Sequence, residues 1–259
     1  MPYLSANNRK KPFWFRKKKA MYSKKHSELF QELYRNALSR KYELGAGSKN
    51  GNQTWVPSDK DTLVPIIEAA ENAGYIHPGE HVLELGSGDM TAGLMWAICG
   101  YHVIGVELDA RLVEISKKNI EKYKSILPTE ISIAVYQGNY LPKDIESCLD
   151  GYARAIDTRY SDMLGFGPAE NREKRQKIFA QMPTSDVYEE NGIDLKSIDT
   201  FFGYFYAPQV TKVGAFFKHY ARDDAKLLAY GPYASIILGK LGLKELQHKN
   251  ESLNVHVKN

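Results

Sequence analysis

Residues 81–90 read HVLELGSGDM, and this stretch constrains the fold more than any other. An apolar, β-prone run ends in an acid, then in two glycines spaced one residue apart, and a helix-compatible segment follows. Glycine lacks a Cβ and reaches positive φ cheaply, so a chain that turns here can bring backbone N–H groups close to a ligand. The flanking pattern repeats the same unit. HVIGVEL (102–108) and ISIAVYQG (131–138) read as further strands, and 91–99 and 110–124 as helices, the second with Val113, Ser116, Ile120 and Tyr123 on one face. Strands alternating with helices across short connections predict an α/β fold whose parallel sheet is covered on both faces.

The outer segments complete this outline. Leu29, Phe30, Leu33, Tyr34, Ala37 and Leu38 recur at helical spacing and predict an amphipathic helix from Ser27 to Tyr42. GAGSKNGNQ (45–53) then reads as a linker, so we divide the chain into a basic N-terminal extension, 1–50, and a body, 51–259. A helix through Leu63, Ile66, Ile67, Ala70 and Ala73 should stop at Gly74. The alternation lapses between about 146 and 197, where a charged helix near 169–182 stands among Gly, Pro, Asp and Asn, and a gap this long reads as an insertion. It resumes with the strand IDTFFGYFY (198–206), a helix over 209–220 and the strand AKLLAYG (225–231). LGLKELQHKNESLNVHV (241–257) predicts an antiparallel hairpin about a polar turn.

Charge separates the extension from the body. Residues 1–25 carry nine Lys or Arg and no acid, so the net +4 of the whole chain leaves the remainder with 26 basic against 31 acidic residues, a net −5. The arm lacks the apolar core of a secretory signal, and no run approaches the roughly 20 residues of a membrane span, so the expectation is a cytoplasmic protein without a membrane partner. Two cysteines, Cys99 and Cys148, form no metal-binding spacing, and no metal is expected. Residues 9–25, with Phe13, Trp14 and Phe15 between the cations, suit contact with nucleic acid.

The turn itself narrows the ligand. A dinucleotide fingerprint needs a third glycine three residues after the second, where this chain has Thr91, with Gly93 two positions late. Glu84 and Asp89 would repel a diphosphate and favour a cation. Glu107, nineteen residues past Gly88 at the tip of the next strand, is placed to accept hydrogen bonds from ribose hydroxyls. A nucleoside bearing positive charge meets both demands, and S-adenosylmethionine is such a compound.

VLELGSGDM followed by VIGVELD resembles the first two motifs of the seven-strand S-adenosylmethionine-dependent methyltransferases. The resemblance is close over about 55–145 and looser over 198–257. It implies a Rossmann-like, mostly parallel seven-strand sheet ending in the antiparallel hairpin. It implies, further, that Glu84, Gly86, Ser87 and Gly88 line the methionine part, Glu107 holds the ribose, and Asn139 lies near the adenine amino group, with Asp89 beside the loop as a cofactor-binding candidate through its charge. WVPSDKDTLVPIIEAA, QGNYLPKDI and the run from Tyr204 to Tyr233 are similar to the small prokaryotic protein-lysine methyltransferases. That likeness implies a protein substrate, with Trp55 and Phe202 on the acceptor side and Tyr204 and Tyr206 orienting the amine. The chain departs from that group at Met90 and Thr91, where it tends to have Gly-Arg. An RNA methyltransferase gripping substrate with its basic arm, a small-molecule methyltransferase, and a cofactor-binding scaffold without activity remain as other readings of the same residues.

Overall fold

The computed structural model describes residues 26–40, 60–156, 186–205, 207–231, 233–248 and 251–259. A seven-stranded sheet forms the centre, in the order β3-β2-β1-β4-β5-β7-β6. Its strands are β1 (His81–Leu85), β2 (His102–Glu107), β3 (Ile133–Gln137), β4 (Thr200–Tyr204), β5 (Lys226–Tyr230), β6 (Leu243–His248) and β7 (Glu251–Lys258). The first five are mutually parallel; β7 runs antiparallel to β5 and carries β6 as its hairpin partner at the edge. The expected mostly parallel sheet with an antiparallel end is thus present.

Alternation along each strand separates two cores. Leu83, Leu85, Phe201 and Leu227 face one side, where they meet the helices Ala207–Tyr220 and Ala234–Lys240. Val82, Val103, Phe202 and Leu228 face the other. That second face is covered by α1 (26–40), α2 (Lys60–Ala73), α3 (Thr91–Ile98) and α4 (Ala110–Tyr123). All eight residues of α3 are buried, as its nearly all-apolar sequence requires, because a helix with no polar face has no side to offer water.

Two parts depart from the expected plan. The helix 26–40 is packed into the body, with Phe30 and Leu33 buried in the same cluster as Ile67, Leu94 and Trp96. Its polar side is held as well: Tyr123 of α4 donates to Glu32 at 2.7 Å and accepts from Asn36 at 2.9 Å. The boundary expected near residue 50 falls outside the described residues. The helix Ala234–Lys240 is the second departure, since no strand-helix alternation announces it. Within the insertion, Ile145–Cys148, 151–156 and Val187–Glu190 are helical, and the helix expected near 169–182 lies outside the described residues. Among the described residues no helix is long and apolar enough to cross a membrane, and no cluster of His, Cys, Asp and Glu has the form of a metal site.

Candidate functional site

In an open parallel sheet, ligands bind beyond the carboxyl ends of the strands where the strand order reverses. Here β2 and β3 build outward on one side of β1 and β4 starts on the other, so the reversal lies at the carboxyl end of β1. That end is the Gly86–Met90 turn. Gly86 (φ 77°) and Gly88 (φ 58°) both take the left-handed conformation, which carries little cost without a Cβ. Met90 (φ 61°) takes it too, at a cost of about 1–2 kcal/mol for a residue with a side chain. Packing holds it there: Met90 is fully buried, and a Cβ on Gly105 would lie 2.3 Å from its sulfur and one on Gly93 2.5 Å from its methyl. Glycines on β2 and α3 make the slot that the strained residue fills.

The turn is pinned from three sides. The Gly86 and Ser87 N–H groups donate to the Val106 carbonyl at 2.9 and 3.0 Å. Glu107 accepts from the Gly88 N–H through Oε2 at 2.8 Å and from the Asp109 N–H through Oε1 at 2.9 Å. From α4, the Ser116 hydroxyl reaches the Gly88 carbonyl at 2.9 Å and the Asn119 amide donates to the Asp89 carbonyl at 2.7 Å. Ser116 stood out in the sequence only as one residue of a helical face, and Asn119 had no local signal at all. Their role depends on α4 crossing behind the turn.

Three carboxylates surround this bend, and they differ in what compensates them. Asp89 is matched by Arg40, whose Nε donates to Oδ2 at 2.8 Å, while Oδ1 accepts the N–H of Thr91, the first residue of α3, at 3.1 Å. Glu107 is held above the ordinary carboxylate range by burial, partly offset by the backbone N–H groups it accepts. Glu84 is only 4% exposed. Burial first, then the negative charges of Asp89 and Glu107, push its carboxyl well above 4.5. Its Oε2, the Ser87 hydroxyl and the Thr91 hydroxyl are buried and meet no hydrogen-bond partner among the described residues. Buried polar groups in native proteins are nearly always paired, so three such atoms beside one turn mark a place suited to a polar ligand.

Beyond β3, Asn139 Oδ1 accepts the Leu141 N–H at 3.0 Å, so the oxygen expected to face an adenine also shapes its own loop. The neighbouring ring completes a wall: a Cβ on Gly86 would lie 3.6 Å from Tyr140 Cε1. The returning end of the insertion closes on the same loop. Tyr188 donates to the Tyr140 carbonyl at 2.7 Å, and Val187 stands so close to Gly138 that a Cβ there would meet it at 2.7 Å. Sequence spacing offers no sign that residues 187–188 belong beside 138–140.

The acceptor-side residues are divided. Phe202, expected to face substrate, is 2% exposed and packs edge-on against Trp96 at 5.7 Å. The correction has a simple cause: Phe202 lies on a central strand, opposite Glu84 of β1, under the fully buried α3. Phe201 and Phe205 are buried on the other face. Tyr204, at the tip of β4, is half-buried and meets the Tyr230 ring edge-on at 5.4 Å. Trp55 and Tyr206 lie outside the described residues.

Neither a protein-family model nor a curated protein sequence matches the chain. Several solved structures align with the chain at low similarity. An RNA methyltransferase from Salinibacter ruber, in complex with S-adenosyl-L-homocysteine, is 13% identical with a TM-score of 0.44, over 78% of this chain and 92% of its own. A protein assigned as a caffeoyl-CoA O-methyltransferase from Staphylococcus aureus is 11% identical with a TM-score of 0.48, over 93% and 99%. An S-adenosylmethionine-dependent methyltransferase from Geobacter sulfurreducens, also in complex with S-adenosyl-L-homocysteine, is 11% identical with a TM-score of 0.44, over 80% and 72%. At such identities no residue role passes from those proteins to this chain.

Proposed function

We propose that the protein is an S-adenosylmethionine-dependent methyltransferase. One observation carries the reading: Glu84 and Glu107 stand at neighbouring strand tips, the second clamping the Gly88 N–H while the first keeps an unpartnered, buried oxygen. Burial disfavours the ionised form of both acids, and a cationic nucleoside beside them would favour it, which a neutral or anionic ligand would not. The residues fit the group. Glu107 still has free lone pairs for ribose hydroxyls, the Tyr140 ring lies beside Gly86, and Glu84, Ser87 and Thr91 carry unpartnered oxygens at the turn that a charged amino-acid moiety could meet. When bound, the cofactor supplies a methyl carbon already activated by its sulfonium, so positioning is the protein's principal task.

The acceptor we propose is a protein lysine amine. Tyr204 lies two residues past Phe202 on the strand face shared with Glu84, and its ring with that of Tyr230 forms an aromatic edge at the carboxyl ends of β4 and β5. Such an edge lowers the local dielectric and so favours the neutral amine, the form that has a lone pair to donate. The net −5 of the chain beyond residue 25 attracts a lysine-rich partner.

Calorimetry with S-adenosylmethionine and S-adenosylhomocysteine tests the cofactor: binding of both is expected, and no heat with either overturns the reading. Labelled cofactor added with protein to a cell extract tests the acceptor. Label removed by protease supports lysine; label removed by ribonuclease transfers the assignment to RNA.

A further inference from the structure

Arg40 ends the described part of the N-terminal helix, and it reaches the glycine turn from 49 residues away in sequence. Nε and Nη2 both donate to Oδ2 of Asp89, and the two side chains are 19% and 2% exposed. Among the described residues it is the one cation paired with any of the three carboxylates at the turn. Removing one partner of a buried ion pair leaves the other without its match, so Asp89 depends on this guanidinium to hold its place beside the turn.

Asp89 in turn controls the bend. Its Oδ1 accepts the N–H of Thr91, the first residue of α3, its carbonyl is held by Asn119, and it directly follows Gly88, whose N–H is clamped by Glu107. The geometry points to Arg40 as a positioning residue of the nucleoside socket: by holding Asp89 it fixes the Gly86–Met90 turn, and docking of the N-terminal helix and binding of ligand are thereby coupled. This rests on the proposed cofactor. Coupling of this kind is reciprocal, so a ligand that binds only the ordered turn must also tighten the helix onto the body. The helix is suited to such a role. Phe30 and Leu33 anchor it apolarly, yet its contacts to α4 and to the turn are polar and partly exposed, which leaves its docking adjustable.

The test uses the full chain and S-adenosylhomocysteine as probe, with calorimetric affinities for Arg40→Met, Arg40→Lys, Asp89→Asn and the double variant Arg40→Met/Asp89→Asn. Arg40→Met should weaken binding about tenfold or more, and Arg40→Lys should recover part of it, because lysine restores charge without the planar fork. The double variant should lie within about threefold of Asp89→Asn alone, since residues acting through one contact are not additive. Hydrogen exchange on the unsubstituted protein should show slower amides across residues 33–40 when the probe is bound, and this measurement stands even where a variant does not fold. Unchanged affinity in Arg40→Met, multiplied effects in the double variant, or unchanged exchange in a protein that does bind the probe each overturns the coupling alone. A parent protein that binds no probe overturns both the coupling and the cofactor.

Discussion

The carboxyl ends of β1 and β2 and those of β4 and β5 lie side by side in one sheet, but they spend their residues in opposite ways. At β1 and β2 the chain buries carboxylates and hydroxyls and pins its backbone with side chains from α1 and α4. At β4 and β5 it buries aromatic rings: Phe201, Phe202 and Phe205 are all core, and Phe205 folds back so that a Cβ on Gly203 would meet its ring at 2.4 Å. Buried polar atoms are costly unless something matches them, whereas buried rings stabilise without further help. The first region is therefore the one we propose for a ligand, and the second serves mainly packing, with Tyr204 and Tyr230 left at its edge.

Two substitutions should separate these regions cleanly. Phe202→Ala should destabilise the fold by about 3–5 kcal/mol in chemical denaturation, the cost of emptying a large core site. The folded fraction should bind S-adenosylhomocysteine within about threefold of the parent, because the ring packs into the core against Trp96 and so acts on stability. A selective loss of affinity with intact stability would return Phe202 to the substrate side. Glu107→Ala should do the reverse. It removes the acceptor of the Gly88 and Asp109 N–H groups together with the proposed ribose partner, and a loss of about 2–3 kcal/mol, roughly a hundredfold in calorimetric affinity, is expected.

A pH series sharpens the electrostatic side of the comparison. Glu84 and Glu107 both hold their protons to higher pH than an ordinary carboxyl, chiefly through burial. The native state then binds more protons than the unfolded chain above pH 4.5, so without added ligand stability should fall as pH rises from that value, by at most about 1.4 kcal/mol per pH unit for each group. Glu84→Gln should flatten the slope and leave the part due to Glu107. An unchanged slope would show that Glu84 is ionised in the folded protein. The smallest expected effect is at the insertion. Tyr188→Phe deletes the bond to the Tyr140 carbonyl and should cost about 1 kcal/mol in a melt, the net worth of one hydrogen bond. A loss of probe affinity beside that small destabilisation would show that the insertion's end supports the adenine side.

Much of the proposed site is legible in the sequence because its signals are local. Gly86 and Gly88 stand where positive φ is required, Glu84 and Glu107 stand at strand tips, and a two-residue alternation locates the strands around them. Arg40, Ser116, Asn119 and Tyr188 were not legible. Each acts through a contact made by tertiary docking, and nothing in the neighbouring residues marks it. Phe202 illustrates the opposite failure, since an aromatic strand has the same composition whether it lines a channel or fills a core.

The amino-acid order by itself determined the alternation of strands and helices, the bend after β1 and the acids that flank it, because backbone conformation and hydrophobic period are decided over a few residues. Tertiary structure alone decided which carboxylate is neutralised, which rings are hidden, and that the N-terminal helix belongs to the body. The physical reason is that charge compensation and burial are properties of neighbours in space, and those neighbours come from segments tens of residues apart.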